Sequence, residues 1–177
     1  IIGEPMRPVA AVAPGVMGTT GVETEEILRG VVERVKPAAV IAIDALASRR
    51  AGRISTTIQL TDTGIHPGSG VGNTGRRSIS KDTLGVPVVA IGVPTVVLAT
   101  TISQDTISLI ASETGMHKEE DRMLRLAEQV ISEHFGPMIV TPKEIDTIVS
   151  DMAGILAKGI NLALHRPYFS KVEELMA

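Results

Sequence analysis

Ala38-Ala39-Val40-Ile41-Ala42-Ile43-Asp44 is an unbroken apolar run that ends abruptly on a carboxylate. The pattern predicts a parallel strand covered on both faces, with Asp44 at its C-terminal end. On its upstream side, residues 22–35 predict a helix. Thr20 and Glu23 have capping-box spacing, Glu23, Glu25 and Glu26 crowd the first turn, Arg34 and Lys36 fall in the last, and Pro37 stops it. Further upstream, the short run 8–14 between two prolines predicts a buried strand that opens into the glycine loop 15–21.

Downstream, residues 53–61 hold the β-branched Ile54, Thr56, Thr57 and Ile58 in moderate alternation, the pattern of an edge strand leading into the long glycine loop 62–73. Residues 86–95 predict a third buried strand, with Pro87 near its start where a missing donor does least harm. Helices are expected over 103–112 and 118–135, and a second capping box, Thr141 with Glu144, starts a last helix. Its apolar positions Ile145, Ile148, Val149, Met152, Ile155 and Leu156 share one face, which predicts packing on the sheet. Strands alternating with helices imply an α/β fold: a mostly parallel sheet with helices on both faces and ligands bound beyond the strand C-termini, here at Gly15, Asp44 and Pro94.

At 177 residues the chain is sized for one domain, and 1–177 reads as a single α/β domain without repeats or linkers. Only Phe135, Tyr168 and Phe169 are aromatic, so the core must be aliphatic. Too few rings to stack bases, and a net charge of −3 without a basic stripe, argue against nucleic-acid binding. The lack of cysteine excludes disulfides, a thiol nucleophile and cysteine-based zinc sites, and fits a reducing cytoplasm. No segment approaches about 18 uncharged apolar residues, so no membrane association is expected. Ile1 is not an initiator Met and the residues after it read as mid-chain sequence, so the domain is expected to be truncated at its N-terminus.

Asp44 is the first candidate for chemistry, because burying its charge is costly unless it has a partner or a task. The bland alternative is the N-cap of a helix over 45–50. One carboxylate cannot perform both the acid and base halves of peptide hydrolysis. Candidate partners within the chain are Asp62 and His66, on either side of Gly64; together with Asp44 they offer the oxygen and imidazole donors of a metal site. Set against that, Asp62 fits an Asx-turn and His66 a loop histidine restrained by Pro67. Gly64, Gly68, Gly70 and Gly72 with Ser69 and Asn73 have the composition of an anion cradle, yet match no P-loop or dinucleotide fingerprint and lack a closing lysine. Ser48, Ser69 and Ser103 carry hydroxyls, but no G-x-S-x-G elbow supports a serine triad.

Taken together, the runs 11–18 (AVAPGVMG), 41–47 (IAIDALA), 62–73 (DTGIHPGSGVGN) and 90–97 (AIGVPTVV) resemble the spore germination proteases, and the resemblance resumes in 140–146 and 161–165. It implies an atypical aspartic endopeptidase that degrades small acid-soluble spore proteins at germination, made as an inactive precursor in the forespore cytoplasm and assembled as a homotetramer. It also implies a fold similar to hydrogenase maturation proteases and no cofactor. Of the family's two catalytic aspartates the second matches Asp44, while the first falls upstream of residue 1, so this chain alone is expected to be inactive. Loops beginning at Gly15, Asp62 and Thr95 are expected to shape the cleft, with His66 in support, and strand 54–60 to offer an edge to an extended substrate. Two departures stand out: Leu98 replaces an acidic residue, and 111–130 is shorter than in the family. The rival expectations are a metal-dependent hydrolase using Asp44, Asp62 and His66, an inactive binding or oligomerisation piece, and, on fold analogy alone, a phosphate-binding phosphorylase or nucleosidase.

Overall fold

The computed structural model describes residues 6–15, 17–68 and 76–165. The chain divides into two compact units, Gly15–Ile145 and the pair Ile1–Pro14 with Asp146–Ala177. In chain order the elements are α1 (Met17–Thr20), α2 (Thr24–Val35), β1 (Val40–Ser48), a 3-10 turn (Ala51–Arg53), β2 (Gln59–Thr61), α3 (Lys81–Leu84), β3 (Val88–Leu98), α4 (Ala99–Thr114), α5 (His117–Phe135), β4 (Ile139–Val140) and α6 (Ile145–Leu164). The fold is α/β, with six helices and a small mixed sheet among the described residues.

Strand β3 is the centre of the larger unit. It pairs in parallel with β1 from Val40↔Val88 to Leu46↔Pro94, and antiparallel with β2 (Gln59↔Gly92 to Thr61↔Ala90) and β4 (Val97↔Val140, Leu98↔Ile139). The sheet is therefore mixed: β1 runs parallel to β3, while β2, on the other side of β3, and β4 run antiparallel to it. After Leu46 the pairing resumes at Ala47↔Val96, so Thr95 is the extra residue of a bulge. Pro94 is tolerated in a central strand because it sits at this bulge, past the last residue paired with β2, where its carbonyl accepts the Ser55 N–H at 2.9 Å.

The core of this unit is aliphatic, as the composition requires. Ala42, Ile79, Leu84 and Val88 are buried together, and Leu28 and Val32 of α2, Val40, Ile65 and Val86 pack against them. One face of β1 is thus filled by α2 and the 79–86 segment. The other is not: Ile41 and Ile43 are exposed, so β1 is not covered on both faces as its apolar run predicts. Helices α4 and α5 pack on one another across a turn at Gly115, whose N–H bonds back to Ala111, a fully buried residue.

Local signals fared unevenly. Helix α2 ends as expected, with Lys36 in the left-handed region just before Pro37 and its N–H on the Val32 carbonyl at 2.8 Å. Neither expected capping box forms. Glu23 holds the N-cap of α2 without a side-chain cap bond, and Thr141 donates instead to the Thr95 carbonyl at 3.0 Å, bracing the bulge. The box that does form is Ser80 with Thr83 at α3, where the Ser80 N–H donates to Thr83 Oγ1 at 3.0 Å. The expected edge strand over 53–61 shrinks to Gln59–Thr61, preceded by a 3-10 turn, and the expected strand over 8–14 is irregular and largely exposed.

In the smaller unit, α6 is one long helix in which no residue is fully buried. Ile145, Ile148, Met152, Leu156, Ile160 and Leu164 form a half-buried stripe, with Val149, Ile155 and Leu162 exposed beside it. The helix is long and apolar enough to cross a membrane by length and composition, with Asp146, Asp151 and Lys158 along it.

Outside the strands, Ile65 and Ile79 form an antiparallel bridge of two reciprocal backbone bonds, 2.9 and 2.8 Å. Gly64 makes it possible: its φ is +89°, and a Cβ there would collide with the Ile79 carbonyl and with Ser80. Gly64→Ala is expected to cost about 2–4 kcal/mol, from the left-handed backbone and the displaced bridge together, and to lower the melting temperature by about 5–15 °C. A melt within 2 °C of wild type, on the order of the effect of 1 kcal/mol or less, would show that the bridge is not needed.

Candidate functional site

Asp44 lies in the middle of β1, not at its end, because the strand continues through Ala45, Leu46 and Ala47 to Ser48. This removes the alternative in which Asp44 caps a helix over 45–50. Its own neighbour holds it: the Ala45 N–H donates to Asp44 Oδ1 at 2.9 Å. Side chains alternate along a strand, so Asp44 shares a face with Val40 and Ala42 behind it and Leu46 ahead. Across the parallel ladder stands Gly92, and the Leu46 side chain occupies the space a Cβ at Gly92 would take. A half-buried carboxylate is thereby walled by aliphatic groups.

Desolvation by this setting pushes the Asp44 carboxyl above its ordinary range, and the Ala45 N–H and the positive charge of Arg76 act in the opposite direction without cancelling it. A carboxyl that resists ionisation in a half-buried position is suited to proton transfer.

The other sequence candidates are distributed differently. Asp62 follows β2, which runs antiparallel to β3, so the chain carries it away from the level of Asp44. Two strand spacings sideways and three residues along place the two aspartate Cα atoms roughly 14 Å apart. Asp62 and His66 are exposed, and the turn at Asp62 is held by Thr61, whose hydroxyl accepts the Thr63 N–H at 3.1 Å. Among the described residues no three His, Asp or Glu side chains converge as a metal site, so the set Asp44, Asp62 and His66 is not assembled. The physical reason is the reversed direction of β2, invisible in a pattern that reads equally well as a parallel strand.

Thr95, by contrast, is the bulge residue on the strand beside Asp44's, and Gly15 takes a left-handed φ of +73° at the entry to α1. Ser48 is buried with its hydroxyl bonded to the Arg50 carbonyl, which leaves it no role as a nucleophile, and Ser103 lies within α4. Ser69, Gly70, Gly72 and Asn73 fall outside the described residues. Leu98 ends β3 opposite Ile139 and stands at the N-cap position of α4.

Sequence reasoning missed Glu25. It is 3% exposed, yet charged partners surround it: Arg29 at 3.5 Å and Arg77 at 3.2 Å, while Arg77 also reaches Glu26 at 3.5 Å. The spacing of Glu25 and Arg29 is visible in the sequence. The partner 52 residues away is not.

The raised Asp44 carboxyl has a thermodynamic consequence. At low pH the residue is neutral in both the folded and unfolded chain. As pH rises, the unfolded chain ionises in the ordinary carboxylate range while the folded chain holds its proton longer, so stability is lost from that range up through the raised value. Asp44→Asn keeps the Oδ1 acceptor and cannot ionise. It is expected to match the wild-type melting temperature below that window and exceed it by a few degrees above; a variant that melts lower above the window would reverse the assignment.

A profile described as germination protease matches residues 1–136 and 114–174. The chain is 52% identical to the germination protease of Caldanaerobacter subterraneus subsp. tengcongensis over 177 residues, covering 92% of this chain and 54% of that protein. It is 47% identical to that of Clostridium acetobutylicum over 176 residues (92% and 54%) and 46% identical to that of Bacillus subtilis over 207 (93% and 56%). The Bacillus alignment is longer than this chain itself, so the relative carries segments that this chain lacks, and the two parts of the profile match overlap at 114–136. The chain spans about half the length of the curated relatives it matches, and across that half it belongs to the germination protease family.

Proposed function

We propose that this chain is the core of an endopeptidase of aspartic type acting on small acid-soluble spore proteins during germination, with Asp44 as one of its two catalytic carboxylates. The observation that carries the proposal is a half-buried carboxyl, held above its ordinary range, on the strand at the centre of the site in a chain of this family. The second carboxylate is assigned to the part of the relatives' length, nearly half, that lies outside this chain. Two carboxyls close together share one proton: the ionised member takes a proton from the attacking water and the protonated member polarises the scissile carbonyl, after which the proton moves to the leaving amine. A carboxyl already reluctant to ionise is suited to the protonated place in that pair. The bulge at Thr95 and the loop at Gly15 would border the cleft.

The same resemblance supports a precursor form, a homotetramer and residence in the forespore cytoplasm, and it predicts that Asp44 alone does not cleave.

A chain extended upstream to the length of its relatives, assayed on a purified small acid-soluble spore protein, should cleave it. Asp44→Asn should lower kcat/KM at least about 100-fold, the usual scale for a lost acid–base group. The 177-residue chain should show no cleavage, and a chelator should leave the extended enzyme's rate unchanged. Full activity in the Asp44→Asn variant would discard the aspartic assignment.

A further inference from the structure

Strand β1 has the sequence of an interior strand and the position of an edge. Val40–Ser48 is nine residues long, carries the single charge of Asp44 and holds no proline. Edge strands are ordinarily short or are blunted by charge, proline or a bulge, whereas near-continuous apolar runs belong to strands with a neighbour on each side and cover on both faces. Among the described residues β1 pairs with β3 alone, so its other edge is open.

The groups on that edge can be named. The Val40 N–H donates to the Pro87 carbonyl at 2.9 Å, on the β3 side. Successive N–H groups along a strand point to opposite edges, so those of Ala42 and Asp44 also face β3, and those of Ile41, Ile43 and Ala45 face outward. Ala45 is satisfied locally, because its N–H is the one that donates to Asp44 Oδ1 at 2.9 Å. The Asp44 carboxyl therefore sits over the open edge and takes the Ala45 position out of any added ladder, which leaves the main-chain groups of Ile41 and Ile43 to find a partner. The face that bears these two side chains is open as well. Ile41 stands beside Val89, itself exposed, and Ile43, Ile91 and Leu60 form one row across the sheet; Ile43 is 52% exposed and Leu60 68%, with Ile91 buried between them.

We propose that the open edge and face of β1 are an interface for a strand and covering helix supplied by the part of the family's length that lies outside this chain, and that the added strand pairs with Ile41 and Ile43 and ends beside Asp44. The chain spans 54% of the Caldanaerobacter relative, so nearly half of that protein's length is available to fill the interface. An apolar run covered on both faces is the pattern of a parallel strand, and a parallel neighbour arrives with a crossover helix that lies on a sheet face. Helix α2 and the 79–86 segment already fill one face, so the added helix falls on the side of Ile41 and Ile43. A transient peptide would use the edge and leave the apolar face uncovered. Completion of the sheet in this way does not depend on Asp44 being a reacting carboxyl.

The test compares the 177-residue chain with a chain extended to the length of its relatives, and needs no activity. Hydrogen exchange at single-residue resolution should find the amides of Ala42 and Asp44, which face β3, protected in both chains. Those of Ile41 and Ile43 should exchange freely in the short chain and at least about 100-fold more slowly in the extended one. Ile43→Lys should leave the melting temperature of the 177-residue chain within about 2 °C of its parent. In the extended chain it should lower the melting temperature by about 5 °C or more, or prevent folding, because the charge would be buried beneath the added cover. Ile41 and Ile43 amides that exchange equally fast in both chains overturn the proposal, as does an Ile43→Lys penalty equal in the two. Protection in the extended chain that weakens on dilution assigns the edge to a second copy, and protection that appears only when a small acid-soluble spore protein is added assigns it to substrate; either result also overturns the proposal.

Discussion

Between β1 and β3 the backbone bonds run in parallel from Val40↔Val88 to Leu46↔Pro94, and this ladder sets the position of everything around the candidate site. A parallel pair cannot be closed by a hairpin, so the chain needs a long excursion between the two strands. That excursion, residues 49–87, contains the 3-10 turn, β2, the glycine loop and α3. The parallel register also fixes which β3 residue stands beside Asp44. It is Gly92, and the missing side chain there is taken up by Leu46, two residues along from Asp44 on the same face. A residue with a Cβ at 92 would displace Leu46 and open the aliphatic wall that keeps Asp44 from ionising readily.

The ladder then breaks at a useful point. Thr95 bulges out one residue beyond the Leu46↔Pro94 pair, and two contacts from elsewhere in the larger unit close on the gap: Ser55 donates to the Pro94 carbonyl and Thr141 to the Thr95 carbonyl. Proline at 94 removes a donor that a regular ladder would use, and the bulge is the arrangement in which that loss matters least. The irregularity is thereby tied to the segment on either side, which makes it a fixed feature of the strand beside Asp44's.

How much of this is legible in the sequence follows from the range of the interactions involved. The β1 and β3 strands, α2 with its stop at Pro37, and the long helices α4 to α6 come from periodicity and from proline and glycine, which act within a few residues. Asp44 was legible for the same reason, as a charge that interrupts an apolar run. The direction of β2 was not, because alternation says that a segment is a strand and nothing about which way its neighbour runs. Asp62 and His66 could therefore be named as candidate partners of Asp44 without any means of telling how far from it they would fall. The capping boxes misled in a related way: Thr141 has the right spacing, but a hydroxyl makes the bond that the fold offers, and the Thr95 carbonyl was within reach.

Charge is where sequence and structure differ most. In the sequence Glu25 is one of three acids that favour the start of a helix, worth a few tenths of a kcal/mol to about 1 kcal/mol in an exposed setting. Folded, it is the buried member of a cluster with Arg29 and Arg77, and its removal would strand cations or leave α2 without its tie to the 76–80 segment. Asp44 shows the complementary case. Its nearest bond is to its own neighbour's N–H, and its surroundings are aliphatic, so the energetic penalty of its charge is only partly offset. A fold that satisfies Glu25 fully and Asp44 incompletely separates a carboxylate that builds from one that is left ready to exchange a proton, and unmet electrostatic demand at Asp44 is the kind of deficit that a substrate, a second carboxyl or a water can fill.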